Sequence, residues 1–167
     1  EPYWADLLSR IESRQGFPER LFTDSLRLRR TLGMLGSAGD YEDLAELTQR
    51  AGFPAEAQAV MEEGFAKGVL GKGSDAAKQQ KLREAVTRKA TEDRKDLAQP
   101  DGAAARVKDG DALVRLGYAV FTSGQQDKGL QLMEQGIARP DLKRGDEARL
   151  MLGYAQFQSG AKAKAVA

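Results

Sequence analysis

A chain of 167 residues is long enough for one domain with a sizeable core, or for roughly four to five stacked helical pairs. It contains no cysteine and no histidine, which excludes thiolate sites, disulfides, His-ligated metals and His-based acid/base chemistry. With 26 basic and 25 acidic residues the formal charge is +1, so the net field favours neither nucleic acid nor anionic lipid. The apolar runs are too short to span a membrane.

Helical spacing of Trp4, Leu7, Leu8 and Ile11 predicts a first helix over 3–14. Gly16-Phe17-Pro18 ends it and opens a second helix over 19–32, with Leu21, Phe22, Leu26 and Leu28 apolar and Arg27, Arg29 and Arg30 as a wet basic cluster. After a glycine-rich turn over 33–39, Asp40 is placed to cap a helix that turns Tyr41, Leu44, Leu47 and Ala51 inward. Gly52-Phe53-Pro54 closes that helix. A partner over 55–67 follows, with Ala57, Val60, Met61 and Phe65 inward. The stretch 75–97 is a long helix so rich in charge that Leu82, Ala85, Val86 and Leu97 make only a narrow apolar stripe. Pro100, Gly102 and Gly110 mark 99–110 as the loosest stretch and the expected hinge. Helices over 111–123 and 126–138, a stop at Arg139-Pro140-Asp141, a helix from Gly145 to Ser159 and the start of a partner over 161–167 complete the chain.

One helical unit occurs twice. Leu116-Gly117-Tyr118-Ala119 returns as Leu152-Gly153-Tyr154-Ala155, and Phe121, Ser123 and Gly124 return as Phe157, Ser159 and Gly160, each 36 positions on. At twice that offset Leu44 meets Leu116, Met61 meets Met133 and Gly64 meets Gly136. Gly16, Gly52, Gly124 and Gly160 therefore mark one lattice of turns, and the lattice position at Arg88 lies inside the long helix. A fixed period in this range is the signature of stacked helical repeats.

On these residues the chain resembles the tetratricopeptide repeat family. Leu116-Gly117, Gly124, Gly129, Gly136 and Pro140 fill that family's conserved places, and Leu152-Gly153, Gly160 and Ala165 do so again. Tyr41, Leu44, Ala45, Gly52, Ala57 and Gly64 fill them in the earlier unit. The usual period is about 34, so Sel1-like repeats are the competing label. The resemblance covers 40–70 and 110–167 well and 1–35 and 75–100 weakly. The stretch from Tyr3 to Leu97 is also similar to tetratricopeptide-type proteins of Gram-negative bacteria, many of them exported. That resemblance points to the periplasm, with the cytoplasm as the alternative. In the family, the face of Val114, Tyr118, Phe121 and Thr122, repeated as Leu150, Tyr154, Phe157 and Gln158, lines a concave groove that binds peptides or helices. The corresponding positions in the earlier unit are Glu42, Glu46, Gln49 and Arg50, so the groove changes from polar to aromatic along its length. Aromatic anchors bury much area at low entropic cost, which suits binding; the competing reading packs them between helices as core.

Other motifs carry less. Gly71-Lys72 invites a phosphate-loop reading, but that pattern needs glycine at 66 and Ser or Thr at 73, where Ala66 and Gly73 stand. Asp40, Glu42, Asp43, Glu46, Glu56, Glu62 and Glu63 make an acidic region whose plain reading is a solvated helix face. Lys78, Lys81, Arg83, Arg88, Lys89, Arg94 and Lys95 are basic, but they are mixed with acids and lack interleaved aromatics for base stacking.

The expected fold is therefore all-α, an antiparallel helix-pair solenoid with a long charged helix in its middle. One helical-repeat domain is expected, a fragment of a longer protein. It divides into a degenerate pair at 1–36, pairs at 40–70 and 110–140, the charged helix at 75–98 and a truncated pair at 146–167. The expected function is a non-catalytic scaffold that binds a protein or peptide. It uses no cofactor, metal or nucleic acid and does not insert in a membrane. The alternative is a structural spacer or self-association segment, prompted by Leu150 and Val166 at the last edge.

Overall fold

A computed structural model describes residues 2–165, and among them every regular element is helical. The order is α1 (Pro2–Glu12), a 3-10 turn (Glu19–Leu21), α2 (Phe22–Thr31), α3 (Ala38–Arg50), α4 (Pro54–Ala66), α5 (Ala76–Asp96), α6 (Pro100–Ala104), α7 (Gly110–Thr122), α8 (Gln126–Ile137), α9 (Gly145–Gln158) and α10 (Lys162–Ala165). The predicted second helix is thus split, its first turn being 3-10.

The helix boundaries follow from local chemistry. Ser37, not Asp40, caps α3: its hydroxyl accepts the Asp40 N–H at 3.1 Å, and the Asp40 carboxylate accepts the Ser37 N–H at 3.1 Å. Asp40 is the reciprocal partner of a capping box, three residues inside. Asp109 caps α7, accepting the Ala112 N–H at 2.9 Å. Pro54 begins α4, where its missing N–H costs no helical hydrogen bond. The four lattice glycines all have left-handed backbones, φ 86° at Gly16, 86° at Gly52, 111° at Gly124 and 85° at Gly160. At three of them the next residue's N–H reaches back five positions: Phe53 to Thr48 O (2.9 Å), Gln125 to Val120 O (3.2 Å) and Ala161 to Gln156 O (2.9 Å). This bond ties off the orphan carbonyls of the helix end.

The chain forms two compact units, residues 1–87 and 88–167. The boundary falls inside α5. The expected hinge over 99–110 instead contains α6 with a buried Pro100, and Ala104 and Val107 pack on the second unit's core of Leu113, Val120 and Leu132.

In the first unit α3 and α4 form a hairpin around Tyr41, Leu44, Ala45, Ala57, Val60 and Met61, all fully buried. Leu26 from α2, Leu70 and Val86 from α5 join the same core. Gly64 lies where α4 meets the start of α3. A Cβ there would be 2.6 Å from the Leu70 side chain and 3.0 Å from the Tyr41 ring.

The second unit is built on the α7/α8 hairpin. Gly117 faces Gly129 and Met133, and Gly110 faces Gly136, so the two helices run antiparallel. A Cβ on Gly129 would be 2.5 Å from the Phe121 nitrogen and 2.6 Å from the Gly117 oxygen. A Cβ on Gly136 would be 2.8 Å from the Gly110 oxygen and the Val114 nitrogen. These contacts are backbone to backbone. α9 packs against both helices of the hairpin, and α10 turns back on α9.

Candidate functional site

The acidic region and the neighbouring arginines do not form two wet surfaces. They pair with each other. Arg27 Nε and Nη2 donate to the two oxygens of Glu56 at 2.9 and 2.7 Å, and both side chains are buried, 5% and 3% exposed. Arg27 also donates to Asp24 at 2.8 Å and lies over the Phe53 ring, 5.7 Å from its centre. Arg30 reaches Glu63 at 2.8 Å, which also receives Lys67 at 2.8 Å and the Tyr41 hydroxyl at 3.3 Å. Arg29 pairs with Glu12 at 2.6 Å, and Ser25 donates to the same carboxylate. The clustering of Arg27, Arg29 and Arg30 predicts a wet surface for Arg27. Arg27 reaches from α2 to Glu56 of α4 beside the Phe53 ring, and the carboxylate meets the buried guanidinium edge to edge.

The start of α5 consumes more of the acidic face. Lys78 Nζ and Gln79 Nε2 donate to Glu42 at 2.7 and 2.8 Å, and the Gln79 carbonyl accepts the Gly71 N–H at 2.7 Å. Arg83 pairs with Glu62 and sits over the Phe65 ring at 4.7 Å. Glu42 is thereby committed to the fold and does not line an open groove. Glu46 and Gln49 are half-buried and Arg50 is exposed. The Gly68–Ser74 loop is a connection pinned at Gly71, with left-handed backbones at Gly68, Gly71 and Gly73.

Burial pushes the Glu42 and Glu63 carboxyls up, but the hydrogen bonds from Lys78 and Gln79, and from Lys67 and Arg30, outweigh it. The hydrogen bond from Arg83 does the same for Glu62. All three lie below their ordinary value of 4.5. A depressed carboxyl contributes stability above its unfolded value, and that contribution is lost as pH falls through the folded value. With no histidine to titrate near neutrality, the urea midpoint is expected to be flat from about pH 6 to 8 and to fall steadily below about pH 4.5. A midpoint that rises on acidification would contradict this pairing.

The aromatic face divides in two. Tyr118 and Phe121 are buried, Tyr118 to 1%, and cannot offer surface to a partner, whereas Val114, 3% exposed, shows only an edge of its side chain. The close approach of α8 and the packing of α9 cover them: Gly136 abuts Val114, Gly129 abuts Phe121, and the rings of Tyr118 and Tyr154 stand 6.5 Å apart. The Thr122 hydroxyl donates to its own helix, at Tyr118 O and Ala119 O. In the next turn of the lattice Leu150 (40%), Phe157 (39%) and Gln158 are exposed and Tyr154 is half-buried. Lys162 Nζ lies 5.4 Å from the Phe157 ring centre. Val166 lies outside the described residues.

A concave feature of the second unit lies apart from the predicted face. A groove of about 560 Å³ runs between the first halves of α7 and α9. Ala112, Val114, Ala148 and Met151 give it an apolar floor, and Asp109, Asp111, Arg115, Lys143, Arg144 and Glu147 give it a charged rim. Asp111 fixes the rim. Its carboxylate accepts the Lys143 and Arg144 N–H groups at 2.8 and 3.0 Å, and these bonds, the first from Lys143, hold it below its ordinary range. Asp141 anchors the same end, accepting the Gly110 N–H at 2.9 Å and two bonds from Arg139. Of the predicted site residues only Val114 lines this groove. The others were missed because Asp111 and Arg144 are 33 positions apart and no spacing rule joins them. The usable signal was the acid at the start of α7, together with basic residues before α9.

Among the described residues no group of three acids is arranged to hold a metal ion, and no helix is long and apolar enough to cross a membrane. No family model, no curated protein and no solved structure matches this chain.

Proposed function

We propose that this chain is a non-catalytic binding module, a helical repeat of the tetratricopeptide kind that takes a protein or peptide segment. The observation that carries this reading is the α7/α9 groove, with its apolar floor of Val114, Ala148 and Met151 inside a rim of fixed charges. A floor of this kind accepts an apolar side chain. The rim orients the segment and rejects mismatched charge. The residue types present supply no nucleophile–base pair there. The internal repeat and the resemblance it carries favour a peptide over a small-molecule ligand, and the similarity of Tyr3 to Leu97 to exported proteins of Gram-negative bacteria favours the periplasm as the compartment.

The test is a selection from a random peptide library against the wild-type chain, with Met151→Glu carried in parallel and checked for helicity. Peptides sharing an apolar residue and lost with Met151→Glu support the reading. Enrichment of no sequence, or equal capture by both proteins, overturns it. The second reading, self-association, is favoured by the exposure of Leu150 and Phe157 on α9.

A further inference from the structure

Two periods of the lattice carry Ser37 to Asp109, Gly71 to Lys143 and Gln79 to Met151. Each unit keeps this register. Ser37 and Asp109 are both caps, of α3 and α7, and each accepts the N–H three residues on. Gly71 and Lys143 both lie in the connection that leads into the next helix, α5 in the first unit and α9 in the second. Both donate their backbone N–H to a side-chain oxygen, at 2.7 Å from Gly71 and 2.8 Å from Lys143. The two units differ in which residue accepts.

In the first unit the acceptor is Gln79, from the helix beyond the connection. Its side chain is buried and bridges that connection to α3: Oε1 accepts the Gly71 N–H, and Nε2 donates to Glu42 at 2.8 Å. The chain's own amide therefore occupies the place that corresponds to the groove. In the second unit the acceptor is Asp111 of α7, which stands where the first unit has Gly39. It takes the Arg144 N–H as well, at 3.0 Å. With the bond made from the α7 wall, no polar side chain has to reach it from α9. Position 151 is methionine, and position 114, the counterpart of Glu42, is valine. Both line the groove.

We infer that Asp111 is the positioning residue of the α7/α9 groove: it pins the connection from the α7 side and so leaves Met151 and Val114 as an apolar floor, where Gln79 and Glu42 close the first unit's counterpart. The inference rests on the reading of the groove as a peptide site and adds which residues make the site available. Of the two equivalent places, one is filled by the chain itself and one takes an apolar side chain of a peptide, so each chain binds one peptide. Methionine suits such a floor because its flexible, polarisable side chain adapts to what is laid on it. Met151→Gln combined with loss of the Asp111 carboxylate brings back the self-occupied arrangement of the first unit.

Amide hydrogen exchange resolved by residue tests this on the whole chain, together with peptide binding. Asp111→Ala is expected to speed exchange at the Lys143 N–H about tenfold, the consequence of losing one charge-assisted hydrogen bond. The double variant Asp111→Ala/Met151→Gln is expected to slow that exchange back toward the wild-type rate. A peptide selected by the wild type is nevertheless expected to bind the double variant at least about tenfold more weakly. Were Asp111 merely structural, binding would return along with the slow exchange. Ala112→Cys reads the groove without any ligand. The chain has no other thiol, so the rate of its reaction with an aromatic disulfide reagent reports how open the groove is. That rate is expected to fall several-fold when Ala112→Cys is placed in the double variant. An Asp111→Ala protein with an unchanged Lys143 exchange rate overturns the proposal. So does a double variant whose thiol reacts, or whose peptide binds, as in the wild type, and so does binding of two peptides per chain. If no peptide binds the wild type, the peptide reading falls, and the exchange and thiol rates still decide the role of Asp111.

Discussion

Replacing Gly129 with alanine is expected to cost the second unit about 3 kcal/mol or more. Alanine in the middle of a helix is ordinarily favoured over glycine by about 1 kcal/mol. Here the added methyl would stand 2.5 Å from the Phe121 nitrogen and 2.6 Å from the Gly117 oxygen. Both atoms are backbone of α7, so no rotamer change relieves the clash. The two helices must separate, and separation also uncovers Leu113, Val120 and Leu132. Gly117→Ala is expected to act alike, since its methyl would stand 2.7 Å from the Met133 nitrogen. Gly102→Ala is the control. Its added atom would meet only an arginine tip at 3.9 Å, so this variant is expected to be neutral or slightly stabilising. Urea unfolding followed by circular dichroism ranks the three. Hydrogen exchange read by peptide is expected to place the Gly129→Ala loss in α7 and α8. An unchanged midpoint for Gly129→Ala would mean that the helices do not approach this closely.

The second large effect is expected at Arg27. Truncation to alanine leaves Glu56 as a buried carboxylate without its bidentate partner, a loss of about 3–5 kcal/mol. The reverse truncation, Glu56→Ala, is expected to cost a similar amount. The double variant Arg27→Met/Glu56→Leu is expected to recover most of it, because two apolar side chains of similar volume carry no desolvation cost. Asp24, the other partner of Arg27, is partly exposed and can be hydrated when the arginine is gone. Thermal unfolding of these proteins ranks the losses, and adding the single variants Arg27→Met and Glu56→Leu closes the double-mutant cycle. If Arg27→Ala loses only a few tenths of a kcal/mol, the side chain is in water and the paired interior is wrong.

These two sites also separate what each level of description could reach. The repeated Leu-Gly-Tyr-Ala and the spaced turn glycines were enough to predict helices, and the observed boundaries of α4, α5, α7, α8 and α9 lie within a residue or two of the predicted ones, while α3 starts three residues early, at Ala38. This worked because a helix end is a local event. A left-handed glycine and a capping side chain satisfy backbone groups a few positions away, and short-range spacing records that. The same locality explains the one capping error. Ser37 and Asp40 are both good caps, and only the reciprocal bonds of the capping box assign the role to Ser37.

Charge placement was not legible. Arg27, Arg29 and Arg30 look alike in sequence, yet one is buried against Glu56, one meets Glu12 and one meets Glu63. Their partners are 29, 17 and 33 residues away, and no periodicity links them. The aromatic face was legible as a stripe but not as a surface. Val114, Tyr118 and Phe121 have the same pattern as Leu150, Tyr154 and Phe157, and the sequence treats the two triads as equal. Packing treats them differently, because α8 comes backbone-close to Val114 and Phe121 through Gly136 and Gly129, while Leu150 and Phe157 of α9 stay exposed. Residue chemistry and spacing thus determined the helices, their turns and the absence of thiol and imidazole chemistry. Only the tertiary structure decided which charges neutralise one another, which aromatic residues are core and where a groove remains. Those outcomes depend on distances between segments remote in sequence, and the approach of glycine to glycine across α7 and α8 sets the distances in the second unit.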